Sequence, residues 1–283
     1  MCYGPVVPPA PPLSCTVRGC GLALTRQGPT LTCPRGHAYD IARRGYVNLL
    51  QPQDRRSLAA GDPAAVVAAR ARLEAAAGMP TVLRGILQRA AALPLAPDSV
   101  VVDLGAGTGA GLAWLANERS VRGIGIDLSS DAAEHAARRF PRLTWLVANA
   151  DRRLPLLDGS VDLVLSLHAR RNPAECARVL TPAGYLLVAV PAHDDLIELR
   201  AAVQGQGVER SRADGVAAEH APLFAEVDRW VVRQRVKLEG WALSDLLAVT
   251  YRGGRTSRVR QVAALESLEV TLASDVCLFR PTS

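Results

Sequence analysis

The sequence predicts an α/β fold: a doubly wound, mostly parallel sheet of about seven strands, preceded by a small metal-binding module. Three observations carry that expectation. From Ser99 onward, apolar strand-like runs alternate with helical spacings. A glycine-rich turn follows the first of those strands. Ahead of them all, three cysteines and a histidine cluster within a short segment.

Taken in order, residues 1–12 form a tail rich in proline (Pro5, Pro8, Pro9, Pro11, Pro12), without the basic and apolar segments of a signal peptide. Residues 13–50 read as the metal module, with β-like pieces at Gly21–Thr25 and Thr30–Thr32 between turn residues. Residues 51–62 are a polar link, and residues 63–283 form the main domain. Helical spacing starts at Ala64, with Asp62 suited to the N-cap and Pro63 to the first position. It is interrupted at Gly78 and Pro80 and resumes through Ala92. Strands are expected at Val100–Leu104, Arg122–Asp127, Thr144–Val147, Val161–Leu167 and Tyr185–Val190. Helices fall near Gly109–Asn117, Ser130–Arg139, Pro173–Val179 and Asp194–Val203. Two more strands, Asp228–Leu238 and Leu268–Phe279, each preceded by a helix, complete the sheet.

The 283 residues suffice for one medium domain and a small one, and with 49% hydrophobic residues a sizeable core is available. No apolar run approaches the roughly 20 residues that span a bilayer, so a cytoplasmic protein with no membrane partner is expected. The net charge of +6 favours an acidic partner only mildly for a chain this long. Lys237 is the sole lysine, and arginine forks suit phosphate contacts. Cys2, Cys15, Cys20 and Cys33 lie near the start, which points to metal rather than to a disulfide framework. Cys176 and Cys277 stand alone in apolar patterns and read as packed core thiols.

The segment Val101-Val102-Asp103-Leu104-Gly105-Ala106-Gly107-Thr108-Gly109 is the most informative. Here an apolar strand ends in an acid and a Gly-x-Gly-x-Gly turn opens a helix. Such a turn lets backbone approach a ligand, and the helix N-terminus favours negative groups. The acid suits a cationic group such as an amino-acid ammonium. The third glycine follows the second by two residues, unlike the dinucleotide fingerprint. The second strand ends Gly125-Ile126-Asp127-Leu128-Ser129, where a carboxylate can accept both ribose hydroxyls of an adenosine. The third ends Ala148-Asn149-Ala150-Asp151, near the expected adenine edge. In this order the features resemble the Rossmann-like methyltransferase superfamily over roughly residues 64–283, which implies S-adenosylmethionine as cofactor. The expected lining is Asp103, Gly105, Ala106, Gly107, Gly109, Asp127, Leu128, Asn149, Ala150 and Leu167.

Cys15, Cys20, Cys33 and His37 form two pairs, with four and three intervening residues, and fit a tetrahedral Zn2+ site. A module this small cannot bury enough core to stand alone, so metal supplies its folding energy. Cys2 lies in the tail and is not expected to be a ligand.

The run Cys33-Pro34-Arg35-Gly36-His37-Ala38-Tyr39-Asp40-Ile41-Ala42-Arg43-Arg44-Gly45-Tyr46-Val47-Asn48-Leu49-Leu50 is more specific than either motif. With Gly61-Asp62 through Ala68-Ala69-Arg70, Leu154-Pro155, Arg171-Asn172-Pro173 and Glu175, it resembles the ribosomal RNA large-subunit guanine-N1 methyltransferases. The resemblance covers nearly the whole chain after Pro12. It implies methylation of a guanine N1 in a 23S rRNA hairpin loop, a zinc module used for RNA recognition, and a homodimer around a basic cleft. A role in self-protection against a macrolide-type antibiotic goes with it. Four departures stand out. The first cysteine pair is wider than the family's two-residue spacing, and Ala77-Gly78-Met79 replaces a Gly-His-Tyr. His168-Ala169-Arg170-Arg171-Asn172-Pro173 replaces an Ala-Pro step, and Val249-Thr250-Tyr251-Arg252-Gly253-Gly254 replaces a Met-Thr-Pro-like loop. Three of these lie where the methyl-accepting base is expected.

Methyl transfer from a sulfonium mainly requires alignment, but guanine N1 carries a proton that something must accept. His168, at the carboxyl end of the fourth strand, is the candidate base or base-contacting residue, with packing against the cofactor as the alternative. Arg170 is a candidate to orient the base or bind phosphate, as is Arg171, against simple solvated charge. His135, His193 and His220 read as surface or capping residues. Arg229–Arg235 and Arg252–Arg260 are candidate RNA tracks, the first also readable as an exposed strand face. Two other readings stay open: a family member redirected to another RNA position or a small-molecule acceptor, and a non-catalytic RNA-binding protein.

Overall fold

The computed structural model describes residues 10–54, 61–77, 79–204, 212–250, 262 and 265–282. Cys2, Gly78, the turn 251–254 and the arginine-rich stretch 252–260 lie outside the described residues. No helix among the described residues is long and apolar enough to cross a membrane.

The N-terminal segment folds as a three-stranded antiparallel sheet of β1 (Thr25–Gln27), β2 (Thr30–Thr32) and β3 (Ala38–Asp40). The β-like piece expected at Gly21–Thr25 is displaced: hydrogen bonding begins in earnest at Thr25, and Ala23 makes only an isolated bridge to Ser14. After β3 the chain turns into β4 (Tyr46–Asn48), which leaves the small sheet and pairs in parallel with the main one.

The main sheet is built from β5 (Val100–Leu104), β6 (Arg122–Asp127), β7 (Thr144–Val147), β8 (Val161–Leu167), β9 (Leu180–Pro191), β10 (Phe224–Glu239) and β11 (Ser267–Pro281). Its strand order is β10-β11-β9-β8-β5-β6-β7-β4, with β11 alone running antiparallel to its neighbours β10 and β9. The sheet therefore has eight strands where about seven were expected. The extra one is β4, whose apolar Val47 and adjacent Leu49 are buried against β7's neighbours while its backbone satisfies that strand's open edge.

Helices α1 (Ala64–Ala77), α2 (Thr81–Ala91), α3 (Ala110–Arg119), α4 (Ser130–Arg139), α5 (Pro173–Val179), α6 (Ile197–Gln204), α7 (Ala213–His220) and α8 (Gly240–Thr250) surround it. Local chemistry sets several starts. Ser129 accepts the Ala132 N–H at the head of α4, and Asn172 accepts the Ala174 N–H ahead of Pro173 at α5.

β5 is buried at every residue, as expected of a parallel strand covered on both faces, and its side chains alternate between two cores. Val100, Val102 and Leu104 meet Ile124, Ile126, Leu146, Val164 and Val188 on one face. Leu13, Leu24, Leu31, Tyr39 and Leu49 of the N-terminal segment belong to that same core. Val101, Leu163, Leu165 and Leu187 pack on the other face against Ile86, Leu87, Leu112 and Leu115 of α2 and α3. The lone thiols Cys176 and Cys277 are fully buried, and burial pushes them up to about 12 and about 11. The chain runs from β5 outward through β6 and β7, then returns to β8 on β5's other side. The carboxyl ends of β5 and β8 thus form the crevice where an open α/β sheet receives ligands.

Candidate active site and metal centre

That crevice holds a cavity of about 270 Å³. From the sequence-predicted residues it is lined by Asp103, Gly105, Ala106, Leu167 and His168. Gly107, Gly109, Asp127, Leu128, Asn149 and Ala150 do not line it; they sit beside it, in the turn after β5 and at the ends of β6 and β7.

The glycine turn is held from below. Gly105 and Ala106 donate their N–H groups to the Ile126 carbonyl at 2.8 and 3.1 Å. Gly105 lies so near Ala169 that a Cβ there would approach the alanine methyl to 2.6 Å. Gly109, at φ +79°, caps α3, and any Cβ on it would overlap Trp145. The two acids differ in setting. Asp127 accepts Gly107 N–H at 2.9 Å and Ser129 N–H at 2.8 Å, yet burial still pushes its carboxyl above the usual range. Asp103 is 4% exposed, and burial, with the charge of Asp127 nearby, pushes it up to about 7. A cation arriving there would find an acid ready to ionise. Asn149 uses its Oδ1 to accept the Asp151 N–H at 3.0 Å and is itself buried.

Sequence reasoning gave no role to two residues on α1. Arg70 and Glu74 lie one helical turn apart, and both line the cavity. Arg70 reaches to 3.4 Å from where a Gly107 Cβ would stand. Glu74 Oε1 accepts the Thr108 hydroxyl at 2.6 Å, while its buried Oε2 has no hydrogen-bond partner among the described residues. The i,i+4 spacing of an opposite-charge pair ahead of a glycine turn was the available signal. Asp62, at the end of the polar link, faces Arg70 at 3.5 Å, and its carbonyl accepts the Ser129 hydroxyl.

The remaining polar groups of the lining come from distant segments. His168 has a left-handed backbone at φ +58°, and its N–H donates to the Ala189 carbonyl. Its Nε2 and Ser274 Oγ share a hydrogen bond at 2.8 Å. The residue is open to the cavity, yet burial of its ring, then the charges of Arg70 and Arg212, push it down to about 4, so it is neutral at pH 7. Asp195 accepts the Ala273 N–H at 2.8 Å, and burial lifts it to about 6. Nothing local marked Asp195 or Ser274, because only the fold brings β11 to the end of β8.

The two arginines after His168 part ways. Arg170 is exposed, does not line the cavity, and pairs with Asp151 at 3.1 Å. Arg171 is buried, donating to His220 Nε2 at 3.1 Å and to Glu219 at 3.2 Å. His220 was expected at the surface; instead it is fully buried, stacked on Phe279 and next to Phe224. Its Nδ1 bonds to the Val216 carbonyl at 2.7 Å, so both ring nitrogens are satisfied. In Arg229–Arg235, three arginines are exposed on β10, each paired with acids: Arg229 with Glu226 and Asp214, Arg233 with Asp194, Arg235 with Glu269.

In the N-terminal sheet, the donor atoms of Cys15, Cys20, Cys33 and His37 all lie within 4.8 Å of one another. The wide first spacing is absorbed by a turn in which Cys20 N–H donates to the Val17 carbonyl and Gly21 N–H to that of Cys15. Cys20 and Cys33 Sγ are 3.8 Å apart, and His37 Nδ1 is 3.3 and 3.5 Å from Cys15 and Cys33 Sγ. With Zn–S near 2.3 Å and Zn–N near 2.0 Å, a tetrahedron has S–S edges of about 3.8 Å and S–N edges of about 3.5 Å. The four residues therefore fit a structural zinc ion. Tyr39 shares a 3.2 Å hydrogen bond with Cys15 Sγ while its oxygen accepts the Thr16 N–H, which fixes a second layer around the ligands.

This segment is fastened to the main domain. Ser14 N–H donates to the Pro155 carbonyl and Leu157 N–H to that of Pro12. The Leu154–Leu157 loop is in turn held by Glu175, which accepts the Leu154 N–H, and by Arg178, which donates to the Leu154 and Leu156 carbonyls. Leu154-Pro155 and Glu175, singled out in the sequence, thus hold the module's anchor.

Comparisons with known proteins agree with this geometry. A family model described as methyltransferase domain matches residues 101–184, and one described as RlmA, N-terminal, matches residues 14–58. A 23S rRNA (guanine(748)-N(1))-methyltransferase of Streptomyces fradiae is 37% identical over 93% of this chain and 95% of its own length. A putative 23S rRNA (guanine-N(1)-)-methyltransferase of Micromonospora griseorubida is 34% identical over 96% of this chain and 98% of its own. Among solved structures, a putative methyltransferase from Bacillus halodurans shares the fold with a TM-score of 0.51 and 14% identity, covering 71% of this chain and 99% of that one.

Proposed function

The chain belongs to the family of 23S rRNA guanine-N1 methyltransferases and is S-adenosylmethionine-dependent, and on that premise we propose that it methylates N1 of a guanine in a 23S rRNA hairpin loop. The observation that carries the reading is a cavity that brings the glycine turn after β5 together with the carboxyl end of β8 and the middle of β11.

When bound, S-adenosylmethionine supplies a methyl group already activated at a sulfonium. Asp127 accepts from the ribose hydroxyls, and Leu128, Asn149 and Ala150 flank the adenine. The turn Gly105, Ala106, Gly107 and Gly109 lets the backbone approach, with Leu167 closing the far wall. Asp103 and the unpartnered Glu74 oxygen suit the methionine ammonium, and Arg70 suits its carboxylate. His168 contacts the target base, held in place by Ser274. The exposed Arg170 takes an RNA phosphate. Cys15, Cys20, Cys33 and His37 hold zinc, which keeps the RNA-recognition module folded. A homodimer is part of the reading, supported by the exposed apolar side chains Val227, Val231 and Trp241 on one edge of the molecule. So are a cytoplasmic location and self-protection against a macrolide-type antibiotic.

The deciding experiment is transfer of labelled methyl from S-adenosylmethionine to unmodified 23S RNA, followed by nucleoside analysis. Label should appear as 1-methylguanosine. Absence of label on RNA from a protein that still binds the cofactor would overturn the reading.

A further inference from the structure

The cavity lining contains, beside β11, a carboxylate with an unused oxygen. Asp195 lies between β9 and α6, in a backbone pinned on both sides. Its N–H donates to the Ala192 carbonyl at 3.1 Å, and the next residue, Leu196, at φ +52°, donates to the Thr271 carbonyl at 2.6 Å. Its Oδ1 accepts the Ala273 N–H, which locks the carboxylate onto β11. Its Oδ2 has no hydrogen-bond partner among the described residues, and the residue lines the same cavity as His168 and Ser274.

Resting on the guanine-N1 reading above, we propose that Asp195 both reads the target guanine and accepts its N1 proton. The Watson–Crick edge of guanine presents two adjacent donors, N1–H and the exocyclic amino N–H. An ionised carboxylate is acceptor-only: the unused Oδ2 can take the N1–H, and Oδ1 keeps one lone pair beside its Ala273 bond for the amino N–H, so the group matches that edge. Adenine and cytosine present an unprotonated ring nitrogen at the corresponding place and are repelled. His168 is the weaker acceptor, because Ser274 occupies its Nε2 and its surroundings disfavour a positive ring. Burial makes Asp195 more basic than an ordinary carboxylate, against the opposing pull of the Ala273 N–H, Arg200 and Arg212.

The step balances. The N1 proton passes to the Asp195 carboxylate, and the electron pair left on N1 forms the new bond to the methyl carbon. The carbon–sulfur bond breaks with its pair staying on sulfur, so the sulfonium becomes a neutral thioether. The proton on Asp195 then leaves to water through the open cleft.

The test uses the full chain and a 23S hairpin bearing guanosine or inosine at the methylated position; inosine keeps N1–H but lacks the amino group. In the presence of S-adenosylhomocysteine, the wild type should bind the inosine hairpin about 10- to 100-fold more weakly and methylate it correspondingly less efficiently. Asp195→Asn keeps an oxygen for the Ala273 N–H but turns an amide donor toward the base. It should bind S-adenosylhomocysteine within about threefold of wild type, lose the guanosine preference in binding, and slow methylation by about 100-fold or more. Asp195→Glu should restore part of the preference. Retention of the inosine penalty by Asp195→Asn, or methylation within about tenfold of wild type, overturns the proposal. Wild-type protein that puts no methyl on guanine overturns the underlying reading itself.

Discussion

The two parts of the cavity lining are built by opposite means. The cofactor part is a local product of the chain: within Asp103–Gly109, one strand, its acid and its turn arrive together, and the second acid follows on the next strand. Backbone groups do most of the holding there, as in the Gly105 and Ala106 bonds to Ile126 and the Gly107 bond to Asp127. The acceptor part is assembled by side chains from far apart in sequence. His168 meets Ser274 and Asp195 meets Ala273, while Arg171 meets His220 in the core outside the lining. A site made of backbone tolerates change nearly anywhere except at its few special residues. One made of long-range contacts can change specificity by single substitutions, and the departure from the family pattern that begins at His168 falls on that side.

That contrast can be broken most directly at Asp127. Asp127→Ala removes the proposed ribose acceptor and also the group that pins Gly107 and Ser129, so S-adenosylhomocysteine affinity should fall by about 100-fold or more. Calorimetry checks this, and hairpin RNA binding should persist. If RNA binding falls equally, the two parts are not separable. Arg171→Met probes the long-range pairs. It leaves the buried His220 Nε2 without its donor and should cost about 2–3 kcal/mol in denaturant unfolding, with cofactor affinity unchanged. The smallest effect is a slope. The Asp103 carboxyl titrates near 7 in the folded protein against an ordinary value of 3.8, so its extra proton stabilises the fold fully below about pH 4. That contribution is lost as pH rises to about 7. Asp103→Asn should therefore flatten the decline in unfolding free energy across this window, as measured by denaturant titration at a series of pH values.

The same contrast explains what could be read from the sequence. The strands from β5 to β9 matched because each is a buried apolar run bounded by turn residues, and the acid-glycine turn and zinc ligands are spaced motifs that carry their own chemistry. Asp195, Ser274 and the burial of His220 were not legible, since no local pattern says which distant strand will lie against them. Arg70 and Glu74 were half-legible: their spacing puts them on one face of α1, but only the fold turns that face toward the glycine turn. The eighth strand was missed for a related reason. Tyr46–Asn48 is too short to announce itself and becomes a strand only because β7 offers it an edge.

That short strand makes the zinc ion a guardian of solubility. β4 shields the otherwise open rim of the sheet, and the segment that delivers it is folded around the metal ligands. Stripping the metal would withdraw the shield and bare the backbone of β7 together with Leu146 and Trp145, a template on which a second chain can add. Loss of the metal would then be expected to show as self-association of the chain through this bared edge.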